Sequence, residues 1–99
     1  MTAVRRFKLG LLGASGRMGG EVKKLLEEPR FKSRLDRVAS PASGEPLDPM
    51  FDAEVWLDFS SPSAVLALVR EAIRRDSRIP LVVGSTGWKE SERSELEVA

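Results

Sequence analysis

The chain contains no cysteine and no histidine. The first absence excludes disulfides, thiolate chemistry and cysteine-based metal sites. The second removes the commonest general acid/base and the commonest metal ligand. No apolar stretch approaches the roughly 18 residues a membrane span requires. Met1 to Lys8 carries Arg5, Arg6 and Lys8, but the apolar run behind them is short and broken by Gly10 and Gly13, so it does not read as a targeting signal. The net charge of +1 gives no electrostatic reason to expect nucleic acid or a membrane as partner. A cytoplasmic location is the default expectation. What remains is a chain of 99 residues, 41% apolar and 31% charged, which suits one small globular domain.

Alternation of apolar segments with helical spacing organises the chain. Phe7 to Leu12 is near-continuously apolar, as in a strand covered on both faces. Arg17 to Glu28 has Met18, Val22, Leu25 and Leu26 on one helical face, Lys23, Lys24, Glu27 and Glu28 on the other, and Pro29 at its end. Leu35 to Ser40 predicts a second strand. The segment 41–52, with Pro41, Pro46 and Pro49, predicts a loop. Val55 to Phe59 is rich in β-formers. Ser61 and Pro62 are suited to the N-cap and first position of a helix whose buried stripe is Ala64, Val65, Leu68, Val69, Ala72 and Ile73. Pro80 to Val83 predicts a fourth strand, and Glu90 to Val98 a last helix cut short by the end of the chain. The order β-α-β-loop-β-α-β-α implies an α/β fold with a Rossmann-like, doubly wound parallel sheet in a single domain, the third strand beside the first on the side away from the second.

Gly13-Ala14-Ser15-Gly16-Arg17-Met18-Gly19 falls between the first strand and the first helix. Free backbone N–H groups and the positive end of the helix dipole converge at such a turn, so it is suited to a diphosphate. The first glycine permits the tight turn, the next the close approach of the diphosphate, and the last the packing of the helix. Arg17 opposes the helix dipole; it either faces a phosphate or points to solvent. Dinucleotide folds commonly end the second strand in Asp or Glu, on the ribose hydroxyls. Here Ser40 and Pro41 stand there. With no carboxylate at that strand end, NADP is permitted and NAD is not excluded, and NADPH is expected to bind at least as well as NADH. Ser40 and Ser43 are candidate donors to a 2′-phosphate, or simply turn residues.

Phe59-Ser60-Ser61-Pro62 and Gly84-Ser85-Thr86-Gly87 each follow a strand. In a parallel sheet they share the carboxyl edge with the glycine loop. Asp58 inside an apolar strand reads best as an organiser of the turn after it. Trp56 and Trp88 read as packing residues rather than stacking platforms, and Arg5-Arg6, Lys23-Lys24 and Arg74-Arg75 as solvated faces.

Taken together, Gly13 to Gly19, Val55 to Pro62 and Pro80 to Gly87 resemble the N-terminal coenzyme domain of the dihydrodipicolinate reductase family. The resemblance runs over essentially the whole chain. It implies an NAD(P)H-dependent reduction in the diaminopimelate route to lysine. It also implies that Gly13, Ala14, Ser15, Gly16, Arg17 and Met18 hold the pyrophosphate, with Arg17 near the adenosine phosphates. Phe59, Gly84, Ser85 and Thr86 would lie by the nicotinamide and its ribose. Ser40-Pro41 departs from the acidic residue, sometimes followed by arginine, that family members often carry. Ser85 departs mildly from the more usual threonine, and the connection from second to third strand is short. In this family a second half follows, which carries the substrate, its histidine and lysines, and the homotetramer contacts. The chain is therefore expected to be the coenzyme domain alone, at 1–99, with no catalytic residue of its own, no metal, and a small-molecule substrate met through the other half. The competing expectations are a non-catalytic nucleotide-sensing module and the coenzyme domain of an aspartate or homoserine dehydrogenase.

Overall fold

The structure, a computed structural model, describes residues 6–42 and 44–98. Four strands form one sheet: β1 (Phe7–Leu12), β2 (Leu35–Ala39), β3 (Val55–Asp58) and β4 (Leu81–Val83). Their order is β2-β1-β3-β4 and every neighbouring pair is parallel. The helices are α1 (Arg17–Leu26), α2 (Pro29–Lys32), α3 (Pro62–Arg74) and α4 (Glu90–Val98), and a 3-10 helix spans Asp48–Asp52. This is the expected α/β, Rossmann-like single domain, and β3 lies beside β1 on the side opposite β2. Among the described residues no helix is long and apolar enough to cross a membrane.

The register of β1 with β3 pairs Leu9 with Val55 and Leu12 with Asp58, so the two strands end level and open their following loops at one edge. Side chains alternate across the sheet. One face packs Leu12, Met50, Trp56, Val65, Leu68 and Ala72 into the core, and Trp56 donates its ring N–H to the Met50 carbonyl at 2.7 Å. Leu9 and Leu11 are buried on the other face.

The 3-10 helix is what the proline-rich segment becomes. Pro49 occupies its first turn, where a missing N–H costs nothing, and the turn drives Met50 into the core with no exposed surface. Core membership of Met50 had no periodic signal in the sequence. Arg75 fastens the same turn to α3, pairing with Asp48 and Glu71 and lying 4.2 Å above the Phe51 ring.

Two helical expectations change. Helix α1 stops at Leu26, and Pro29 does not merely end an element; it starts α2 as a residue at the first helical position. The expected buried face of α1 is largely open: Met18 is 58% and Leu25 45% exposed, Val22 and Leu26 are half-buried, and only Gly19 is buried. Val82, in register with Leu57 on the face opposite Trp56, is exposed too, so apolar surface on this side exceeds what the described residues cover. In α3 the stripe holds at Val65, Leu68 and Ala72, but Ile73 is exposed and Leu66 is buried instead. The cause is α4, which gives α3 a second neighbour: Glu95 clamps Arg70 at 2.6 and 2.8 Å, beside Leu66, whereas Ile73 lies one turn past that contact.

Candidate functional site

The glycine loop is shaped by close backbone approaches. Gly13 has φ +90°, and a Cβ there would stand 2.6 Å from the Phe59 carbonyl carbon. Gly16 donates to the Gly13 carbonyl at 3.1 Å and then caps α1 in extended conformation, with no side-chain cap. A Cβ on Gly19 would lie 1.7 Å from the Gly13 oxygen, so the first turn of α1 rests directly on the strand-end turn. Gly16 is different. Its φ is −80°, and a Cβ there would meet nothing closer than 3.5 Å. A side chain there would make only ordinary van der Waals contact with the Gly13 and Phe59 carbonyl oxygens, on the wall of the cleft.

The first bond of the helix runs from Gly20 N–H to the Gly16 carbonyl at 2.8 Å. The N–H groups of Arg17, Met18 and Gly19 therefore have no carbonyl acceptor among the described residues. No acidic side chain sits in that first turn, and Arg17 is exposed and makes no ion pair among the described residues. Three aligned donors at a helix N-terminus, with a free guanidinium beside them, offer positive potential with no internal anion to satisfy it.

A second loop, after β3, is organised by Asp58, which is fully buried. One carboxylate oxygen accepts from the Ser60 backbone N–H at 2.7 Å and from the Ser60 hydroxyl. The other accepts from the Ser85 N–H at 3.2 Å, across in the loop after β4. Asp58 organises its own turn as expected, and it also ties in the Gly84–Gly87 loop, a link that sequence spacing does not reveal. The Gly84 N–H adds a bond to the Asp58 carbonyl at 2.8 Å, and the Trp88 ring N–H reaches the Ser85 carbonyl and hydroxyl oxygens at 3.2 Å. Ser61 caps α3, accepting from Ala64 N–H at 3.3 Å.

Between the loops lies a cleft of about 510 Å³. Gly13, Ser15 and Gly16 form one wall, Phe59, Ser60, Ser61 and Ser63 a second, and Pro41, Ala42 and Glu45 a third. Of the residues expected at a cofactor, the structure thus gathers Gly13, Ser15, Gly16 and Phe59 around one space. Ala14, Arg17 and Met18 belong to the same loop and first turn but do not line it. Ser40 lies off the wall, its hydroxyl accepting from the Arg37 guanidinium at 2.7 Å. Gly84, Ser85 and Thr86 follow β4, the strand beside β3, and do not line the cleft; Asp58 ties their loop to it through the Ser85 N–H. Ser43 is outside the described residues.

Glu45 is the residue that sequence reasoning missed. The fold pattern points to the end of the second strand, where Ser40-Pro41 stands, and Glu45 comes several residues later in the loop. The available signal was an acid three positions after Ala42 in a turn-forming stretch, the spacing at which a carboxylate can reach a backbone N–H.

Residues 7–99 match the family described as "Dihydrodipicolinate reductase, N-terminus". The chain is 32% identical over 96 residues to the 4-hydroxy-tetrahydrodipicolinate reductase of Bdellovibrio bacteriovorus, an alignment that covers 95% of this chain and 40% of that protein. It is 30% identical over 118 aligned positions to the enzyme of the same name from Bordetella parapertussis, covering 100% of this chain and 43% of that one. In Alkaliphilus oremlandii the corresponding figures are 30% over 89 residues, 90% and 35%. The chain spans about two fifths of the length of these relatives. With a strand, glycine turn and helix in the matched region and nearly the full chain aligned, it belongs to the dihydrodipicolinate reductase N-terminal family.

Proposed function

We propose that this chain is the coenzyme-binding part of a 4-hydroxy-tetrahydrodipicolinate reductase, and that it holds NADH or NADPH in the cleft between the loops after β1 and β3. The observation that carries the reading is the set of N–H groups at Arg17, Met18 and Gly19 with no carbonyl acceptor among the described residues, beside a Gly16 on the wall of the cleft. The donor set fits a diphosphate: backbone amides and a helix N-terminus bind anions without needing a metal or a titrating side chain. The absence of a Cβ at Gly16 leaves room for the phosphate oxygens.

When bound, the dinucleotide supplies a hydride from its nicotinamide to the unsaturated ring of the dihydrodipicolinate precursor. The chain's own part is to bind and orient. Gly13 to Met18 fix the diphosphate, and the nicotinamide end extends past Phe59, out of the cleft, to the neighbouring Gly84-Ser85-Thr86 segment, which positions it. That segment is exposed at Gly84 and Thr86, and Asp58 holds its start. None of these side chains is suited to deliver a proton, so the proton donor and the substrate site belong to a second half, as does assembly into a homotetramer. This chain alone binds coenzyme and does not turn over substrate.

Calorimetric titration of both dinucleotides into the chain and into Gly16→Leu tests the proposal. The leucine is accommodated by the backbone, at φ −80°, but stands where the phosphates would. An unchanged circular dichroism spectrum with binding weakened at least about tenfold, or 1.4 kcal/mol, is expected. Equal affinities in the two proteins would refute the cradle.

A further inference from the structure

The third wall of the cleft carries a carboxylate. Glu45 lies in the loop after β2, and it is the only charged side chain among the described residues lining the cleft. Its own turn fixes its position: the Glu45 side chain accepts from the Ala42 N–H at 2.7 Å, while the Glu45 N–H donates to the Ala42 carbonyl at 3.0 Å. This reciprocal pair engages one carboxylate oxygen, Oε1. The other, Oε2, has no hydrogen-bond partner, and no cation pairs with Glu45 among the described residues.

From this geometry we infer that Glu45 reads the ribose of the dinucleotide and sets a preference for NADH over NADPH. The inference rests on the proposed coenzyme site and deepens it. A carboxylate with a free oxygen accepts from vicinal hydroxyls, the pattern an unphosphorylated ribose presents. A 2′-phosphate in the same place brings two negative charges and no donor, so the same group that attracts one coenzyme repels the other. The wall is the right one, because it follows β2 and faces the glycine loop, where the adenosine half of a dinucleotide falls in a sheet of this order.

Two cations could act in the opposite sense. Arg37 is the nearer in sequence, but its guanidinium is held on the Ser40 hydroxyl and it lines a separate depression with Arg6, Lys32 and Asp36. Arg17 makes no ion pair among the described residues, but it belongs to the first turn of α1, beside the amides that take the diphosphate, and does not line the cleft. Neither faces the wall on which Glu45 stands. The reading reverses the coenzyme expectation drawn from Ser40-Pro41: the acid missing from the strand end is supplied from the loop.

Binding of NADH and NADPH to the chain and to Glu45→Gln, measured by calorimetry at low ionic strength, tests it. The glutamine side-chain oxygen still accepts from Ala42, so the turn is kept while the charge is removed. The chain is expected to bind NADH about three- to tenfold more tightly than NADPH, and Glu45→Gln to bring the two within about twofold, chiefly by improving NADPH. Preference for NADPH in the unmodified chain, or a preference for NADH that Glu45→Gln leaves untouched, would overturn the role of Glu45 while leaving the coenzyme site standing. Failure of both dinucleotides to bind would remove the site and the inference together.

Discussion

The loops after β1 and β3 touch backbone to backbone, Gly13 against Phe59, yet they are held in opposite ways. The first is shaped by what is missing. No side chain caps α1, and the turn exists because Gly13 and Gly19 lack a Cβ that would collide with main-chain atoms. The second is shaped by a side chain. Asp58, buried and fully partnered, gathers amides from its own loop and the next, and Ser61 then starts α3 with a hydroxyl cap. The first arrangement leaves its N–H groups free for an outside anion; the second satisfies its own internally. The proposed function therefore assigns the anion to the first loop, with the second serving as a fixed wall.

Substitutions separate the two devices. The largest effect is expected at Gly19: in Gly19→Val the Cβ would overlap the Gly13 oxygen, and the helix must move off the turn. The domain should lose about 3 kcal/mol or more in urea unfolding, the upper range for overpacking, and a near-native midpoint would mean the contact is not tight. Asp58→Ala comes next. It strands the Ser60 and Ser85 amides and should cost about 2–3 kcal/mol, with faster amide exchange at both residues. Faster exchange at Ser60 alone would show that the link to the β4 loop is weak. Ser61→Ala removes one cap and should cost about 1 kcal/mol, recovered by Ser61→Asp.

The smallest effect lies away from both loops, at the ion cluster that fastens the 3-10 helix to α3. Hydrogen bonds from Arg74 and Arg75 hold the Glu71 carboxyl down to about 2, from an ordinary 4.5. Its contribution is present above pH 4.5 and lost as pH falls toward 2. The acid limb of the melting temperature should therefore be shallower in Glu71→Gln, by a small amount because the cluster is solvated. Identical limbs would show that the cluster contributes nothing to folding.

The two loops also differ in how much of them a sequence displays. Glycine spacing after an apolar run announces the first loop, and parallel strands at regular intervals give the sheet and its order. Ser61-Pro62 likewise reads directly as a helix start, because capping is a matter of adjacent residues. The rest depends on contacts between distant positions. The Asp58 bond to Ser85 spans 27 residues, the burial of Leu66 follows from where α4 lands, and Met50 enters the core from a proline-rich segment without periodicity. Glu45 was hidden for a related reason: it reaches the cleft through the shape of its loop rather than through its distance from a strand end. The open stripe on α1 shows the converse, a helical pattern whose apolar face the described residues leave largely exposed.

The free amides at the start of α1 are the centre of the account, and nitrogen-edited proton spectra of the labelled chain, recorded as NADH is added, observe them one by one. The largest shifts should fall on the Arg17, Met18 and Gly19 N–H groups, saturating with the affinity found by calorimetry, with smaller changes around Ser15 and Phe59. Saturable binding that leaves those three amides unmoved would contradict it.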